Sequence, residues 1–285
     1  MAAATTIKKQ IDFNKQFRSL LEVMKLVAVS QYHILERKLQ YFDLFGAVLT
    51  EFFDSIDVTR VNHPFLNGGD KPIGVLAITS DAGLLGGMNM QVISKAIEIL
   101  SRQPGKLIII GERGQIYAQG FGMSFTYFTG IIDNERYSQA MTVRDYITQE
   151  ILSGSLGGLK VVFPRALSLV MNKIEVETLV PFTRPESGGV PPTASDPNKI
   201  IFETTPGEVA EYLVYLYVGE RLYEVFGMAR LAEQAARFVH LEESCQKIQD
   251  MNSKLLLQYF KRRHEIIDSN MRELYSAKKA YADAQ

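Results

Sequence analysis

All 10 prolines of this chain, and most of its glycines, lie between Pro64 and Gly207. On either side only Gly46, Gly219 and Gly227 interrupt a breaker-free sequence. Proline and glycine are the strongest helix breakers, so both ends are predicted to be long helices around an irregular middle. Apolar spacing agrees. Ile7, Ile11, Phe17, Leu20, Leu21, Met24, Val27 and Ala28 recur at mostly three- and four-residue steps, as one stripe on a helix. Leu222, Phe226, Leu231, Ala235, Phe238, Leu241, Ile248, Met251 and Leu255 do the same near the other end. Pro206-Gly207-Glu208 starts that second helix, with Thr204 or Thr205 as its cap. At 1.5 Å per residue the last segment would reach about 110 Å and the first about 80 Å, against roughly 40–50 Å for a globule of this chain length. Such helices do not fit into one compact domain. The simplest way to bury both stripes is an antiparallel coiled coil of the two ends.

The middle alternates strand and helix. Strands are predicted at Ile73–Thr79, Lys106–Ile110 and Met123–Phe128, with helices at Met90–Leu100, Gly114–Gly120 and Thr142–Leu152. Lys160–Phe163, Leu167–Val170 and Ile174–Pro181 read as extended, and Ser187–Asn198 as an exposed loop. Strand–helix–strand alternation implies a mainly parallel sheet with helices against it. The expected fold class is therefore α/β: a long antiparallel coiled coil of the N- and C-terminal helices with a central, mainly parallel, Rossmann-like domain. The expected divisions are 1–62, 63–207 and 208–285.

Composition removes several classes. Hydrophobic residues are 46% and charged residues 22% of the chain, ordinary for a folded protein and unlike a disordered one. Lys+Arg at 31 against Asp+Glu at 32 gives no overall basic field for nucleic acid. Cys245 is alone, so no disulfide framework forms, and the four histidines, at 33, 63, 240 and 264, are scattered singly. Neither a metal nor a cofactor is expected. No apolar run approaches the roughly 20 residues of a spanning helix, and the first residues lack the build of a signal peptide. Work at a membrane would then be peripheral, through another protein. Charge along the first helix is uneven: Lys8–Lys38 carries seven cations and three anions, while Leu39–Arg60 carries four anions and one cation.

Few motifs carry chemistry. Ser80-Asp81-Ala82-Gly83-Leu84-Leu85-Gly86-Gly87-Met88-Asn89 follows a strand and precedes a helix. Its glycines suit either a tight turn or a cradle of backbone N–H groups for an anion. No Gly-Lys-Ser/Thr follows, so it is not a Walker A loop. Gly111-Glu112-Arg113-Gly114 closes the second strand as a turn, with Arg113 toward solvent. Nothing in the spacing brings Asp81 and Glu112 together as an acid–base couple. Cys245 reads as a small packed residue. Lys261-Arg262-Arg263-His264 is either an anion-facing patch or a solvated helix face.

Four segments, in order, resemble the gamma subunit, the central stalk, of rotary F-type ATP synthases. Met24-Lys25-Leu26-Val27-Ala28-Val29-Ser30 is similar to the family's Met-Lys-Met-Val-Ala-Ala-Ser. Thr79–Asn89, with Asp81, Gly83, Gly86, Gly87 and Asn89, is similar to its Thr-Ser-Asp-(Arg/Lys)-Gly-Leu-Cys-Gly-(Gly/Ala)-X-Asn. Ile110–Gly114, with Gly111 and Gly114, resembles Ile-Gly-Arg-Lys-Gly. Ala232–Leu241, with Glu233 and Arg237, resembles Ser-Glu-(Gln/His)-Ala-Ala-Arg-Met-X-Ala-Met. Tyr259-Phe260-Lys261-Arg262-Arg263-His264 keeps the tyrosine and arginine of the family's Tyr-Asn-X-X-Arg-Gln, with His264 in place of the amide. Ala82 stands where the family has a basic residue.

The resemblance implies a non-catalytic rotor shaft. Its terminal helices would enter the catalytic hexamer of alpha and beta subunits. Its α/β domain would form a foot beside the membrane rotor c-ring and bind an epsilon-type subunit. Lys25, Arg263 and His264 are the implied shaft-tip contacts. Two readings of another class stay open at this point: a static coiled-coil adaptor, and an enzyme holding an anionic ligand at Gly83–Gly87.

Overall fold

The strand sequences set the architecture. Ile73–Ile78 (β1) is apolar at nearly every position and wholly buried, as expected for a strand covered on both faces. A computed structural model describes residues 2–39, 63–69, 71–182 and 205–282. The second half of the 1–62 segment, its acidic stretch and the Ser187–Asn198 segment lie outside the described residues. Around β1 lie Gly105–Ile110 (β2), Phe125–Phe128 (β3), Gly158–Ser168 (β4) and Met171–Val180 (β5), in the order β3-β2-β1-β4-β5. The first four run parallel and β5 is antiparallel to β4.

Helices Met88–Arg102 (α2), Glu112–Gly120 (α3) and Arg136–Leu152 (α4) link the strands. Side chains alternate across the sheet. Val75, Ala77, Leu107 and Ile109 meet Val92, Ile93 and Ala96 of α2 on one face. Leu76, Ile78, Ile108, Ile110 and Phe163 meet Val143, Ile147 and Ile151 of α4 on the other. That second face also receives Val214, Val218, Leu222, Val225 and Phe226. These five belong to Pro206–Ala282 (α5), one unbroken helix of 77 residues. Thr205 and Glu208 form its capping box: the Glu208 amide donates to Thr205 Oγ1 and the Thr205 amide to Glu208 Oε2, each at 3.4 Å.

Several boundaries differ from the sequence reading. The two extended stretches 160–163 and 167–170 are one strand up to Ser168, followed by a turn. Pro164 is tolerated because β1 pairs with β4 only as far as Val162, so Pro164 has a ladder neighbour on one side only. Helix α4 begins at Arg136 rather than Thr142, because its first turn is polar and carries no apolar period. Strand β3 begins at Phe125 rather than Met123: the Met123 amide still donates to Ala118 O, closing α3 around Gly122 at φ 67°.

The chain divides into two compact units, Ala28–Phe238 and Met1–Val27 with Val239–Gln285. The first contains the sheet. In the second, Ala2–Leu39 (α1) and α5 run antiparallel, as Lys25 meets Glu242 while Asn14 meets Asn252. Its seam is Leu21, Leu241, Cys245 and Ile248, with Met24 at the edge.

Candidate functional site: the strand-end crevice and the paired helices

Two groups of residues were singled out from the sequence, and each lies within one unit. The first surrounds the C-terminal ends of β1, β2 and β4. Thr79 Oγ1 donates to Ile110 O at 2.6 Å and accepts the Gly114 amide at 3.1 Å. A Cβ on Gly114 would fall 2.3 Å from that hydroxyl, and Gly111 has φ 100°, so both glycines are fixed by close approach. Asn89, at the start of α2, accepts the Ser80 amide at 3.2 Å and donates to Ser80 Oγ at 2.9 Å. Ser80 Oγ donates in turn to Ala82 O. The glycine-rich segment is thus a turn whose polar groups are taken up by its own side chains. Of its three glycines only Gly86, at φ 59°, has left-handed backbone, together with Leu84 at φ 64°. A Cβ at Gly83 or Gly87 would meet nothing closer than 3.5 Å.

Asp81 and Glu112 do not form an acid–base couple. Asp81 is brought to Glu112: its Oδ1 accepts the Glu112 amide at 2.8 Å. The contact is a carboxylate on the first turn of α3, where its charge suits the positive end of the helix. It is not a pair of carboxyls facing one another. Arg113 is exposed, as expected.

In open α/β sheets the crevice where strand order reverses is the usual ligand site. Here that point lies between β1 and β4. What remains is a cavity of about 100 Å³, lined by Thr79, Ser80, Asp81 and Pro164 from the sheet side and by Arg230 and Glu233 from α5. Arg230 spans the rim. Its Nε and Nη2 donate to the two Asp133 oxygens at 3.0 and 3.1 Å, and its Nη1 to Glu233 at 2.5 Å. Arg237 donates to Glu233 at 2.6 Å and to Gln234 at 2.9 Å. Glu233, whose side chain is 5% exposed, is neutralised by arginines three positions before and four after it. The Arg230 hydrogen bonds hold the Asp133 carboxyl below the usual carboxylate range. Burial works against charge on Arg230, but the bond to Asp133 and the Glu233 charge hold its pKa above the ordinary guanidinium value.

Asp133 and Arg230 were missed from the sequence. The spacing Arg230-x-x-Glu233-x-x-x-Arg237 does signal one helix face. Asp133 is 97 residues from its partner and carries no local signal.

The second group lies on the paired helices. Lys25 Nζ sits 2.5 Å from Glu242 Oε2, and that hydrogen bond raises its pKa. Cys245 is buried, which pushes its thiol up and fits a packing role. Tyr259 is half-buried against the Phe260 ring. Arg263 and His264 are exposed; His264 Nδ1 lies 2.7 Å from Phe260 O, and the adjacent Arg262 pairs with Glu265. Lys25 and Arg263 are not brought together: Lys25 is level with Glu242, about 30 Å of helix from position 263. Among the described residues no group of three or more His, Cys, Asp or Glu could hold a metal ion, and no helix is long and apolar enough to cross a membrane.

Comparison with known proteins covers the whole of this arrangement. A family model described as ATP synthase matches residues 3–281. The ATP synthase gamma chain of Opitutus terrae is 23% identical over 99% of this chain and 100% of its own length. That of Bdellovibrio bacteriovorus is 25% identical over 98% and 99%. Among solved structures, the rotor of Euglena gracilis mitochondrial ATP synthase superposes with a TM-score of 0.68 at 14% identity, over 93% of this chain and 99% of that one. The central stalk and c-ring structure from Tetrahymena thermophila mitochondria gives 0.60 at 16% identity, over 79% and 99%. A long helix shared between a parallel α/β sheet and an antiparallel helix pair, matched from end to end by gamma chains, leaves one conclusion: the chain belongs to the ATP synthase family, as a gamma-type member.

Proposed function

We propose that this chain is the central rotor shaft of an F-type ATP synthase. It couples ion-driven turning of a membrane c-ring to ATP synthesis, or the reverse, in a hexamer of alpha and beta subunits. The chain itself is non-catalytic and peripheral to the membrane, on the cytoplasmic or matrix-equivalent face. Residues 63–207 form the foot, which meets the c-ring and an epsilon-type subunit, and 1–62 with 208–285 form the shaft. The observation that carries this reading is α5. Its first half is locked into a sheet domain, and its second half keeps Leu256, Leu257, Phe260, Ile267, Met271 and Leu274 exposed. A free globular protein has little use for such a stripe, whereas a shaft inside a sleeve has a partner for it.

The contacts follow as two levels. Arg263 and His264 meet ring subunits near the end of the shaft, and Lys25 does so further along. Exposed ion pairs are worth about 0–1 kcal/mol each, weak enough to be exchanged at every step of rotation.

The test is purification of the complex from its source. The chain should co-purify in substoichiometric ratio to alpha and beta subunits, and a cross-link from position 263 to a ring subunit should halt ATP turnover. Arg263→Glu should lower turnover of the reconstituted complex, more so at low salt, and His264→Gln should be tolerated. Association without any effect of the cross-link on turnover would instead make the chain a static adaptor.

A further inference from the structure

The crevice at the strand ends is filled by the protein's own helix, and the manner of filling is specific. Along α5 the residues facing the sheet change character. From Leu213 to Phe226 they are large; from Ala229 to Ala236 the buried apolar ones are alanines. Large residues interlock with their surroundings and fix a helix about its axis. Alanines let a helix come close but present a smooth face that tolerates rotation.

At that smooth stretch the polar contacts are concentrated. Asp133 takes both ends of the Arg230 fork, and Glu233 has both oxygens occupied by Arg230 and Arg237. Asn172 of β5 adds a bond to Ala232 O at 3.1 Å. A bidentate guanidinium–carboxylate pair has direction as well as strength. Turning α5 by about 20° would carry a side-chain group roughly 2 Å sideways at the helix surface, enough to break such a pair.

We propose that the Asp133–Arg230–Glu233–Arg237 network is a torsional latch that sets the angle of α5 in the switch-point crevice. The crevice of a nucleotide-binding type of sheet is here used as a socket for the shaft. Asp133 and Arg230 are positioning residues: they do not touch a reacting group, and they determine how stiffly the α/β domain and α5 turn together. The inference rests on the rotor-shaft reading.

The test uses the assembled complex, held by its catalytic ring, with an optical probe on the α/β domain. Angular fluctuation of the probe in the stalled state reports torsional stiffness. Asp133→Asn and Arg230→Met should each broaden the distribution about twofold, because a charge-directed bidentate pair becomes a weaker bond or none. Asp133→Glu should recover part of the stiffness. Arg165→Gln, which removes an exposed pair with Glu175, should leave it unchanged. In the isolated full chain, amides around 131–135 should exchange about tenfold faster in Asp133→Asn, whether or not Arg230→Met assembles. An unchanged distribution and unchanged exchange in Asp133→Asn, in a complex that still turns, would overturn the latch alone. A complex that turns over without this chain would overturn the shaft reading, and the latch with it.

Discussion

The two halves of α5 make one helix with two economies of burial. Between Leu213 and Ala236 its inward face is sealed beneath the sheet, and Val214, Leu222, Val225 and Ala232 are fully buried. From Met251 onward, Leu257 is 73% and Leu274 69% exposed, and the buried seam with α1 is confined to Leu241, Cys245 and Ile248 before it. The hydrophobic effect scales with area removed from water, so the first half is held by tertiary packing and the second by one partner helix. The lesson is that a continuous helix need not be a uniformly stable one. Identical backbone geometry says nothing of what each stretch waits to meet.

That contrast can be broken by substitution. Phe226→Ala opens a cavity in the larger core and should cost about 3–5 kcal/mol, read as a lower denaturant midpoint of the isolated chain. A cost below about 1 kcal/mol would mean that the sheet unit does not depend on α5. Leu241→Ala, in the helix seam, should cost nearer 2 kcal/mol, since a two-helix groove collapses and hydrates more readily than a closed core. Hydrogen exchange should locate that loss in residues 5–30 and 240–260, with the strands unaffected.

Asp133 sharpens the comparison through pH. Its folded pKa lies below the unfolded value of 3.8, so the pair contributes above about pH 4 and is lost as pH falls through the lower folded value. Asp133→Asn should therefore cost about 1 kcal/mol at neutral pH, allowing for its partly open position, and progressively less as pH falls through the lower folded value. A difference that persists undiminished into acid would assign the effect to shape instead. The smallest expected effect is Leu257→Ser. It should fall within about 0.5 kcal/mol of wild type in the isolated chain, yet lower the yield of assembled complex.

How much of this was legible follows physical lines. The helical ends were written in the absence of proline, because a helix interior admits almost none. Buried strands such as Leu107–Ile110 were written as apolar runs. What stayed hidden depended on groups far apart in sequence. Asp81 caps α3 across 31 residues, so that helix starts two residues earlier than its glycine suggested. Pro164 lies inside a strand because a neighbouring strand has already ended. For the candidate site, the glycine motif was visible as a pattern, but whether it was turn or cradle depended on where Thr79 and Asn89 point. The Asp133–Arg230 pair left no trace in any local window.

The antiparallel pairing has a consequence for how the protein is made. Lys25 meets a partner 217 positions later, and Asn14 one 238 positions later. At ribosomal rates of about 5–20 residues per second, roughly 10–50 s pass between the emergence of α1 and that of the helix that covers it. The α/β sheet can close in that interval, but Leu21 and its neighbours cannot. The helix seam is therefore among the last contacts to form, and the apolar stripe of α1 stays unpaired while the intervening chain is made. Substitutions along Ile11, Leu21 and Met24 should then weigh more on cellular yield, and on demand for chaperones, than the stability of the finished molecule would suggest.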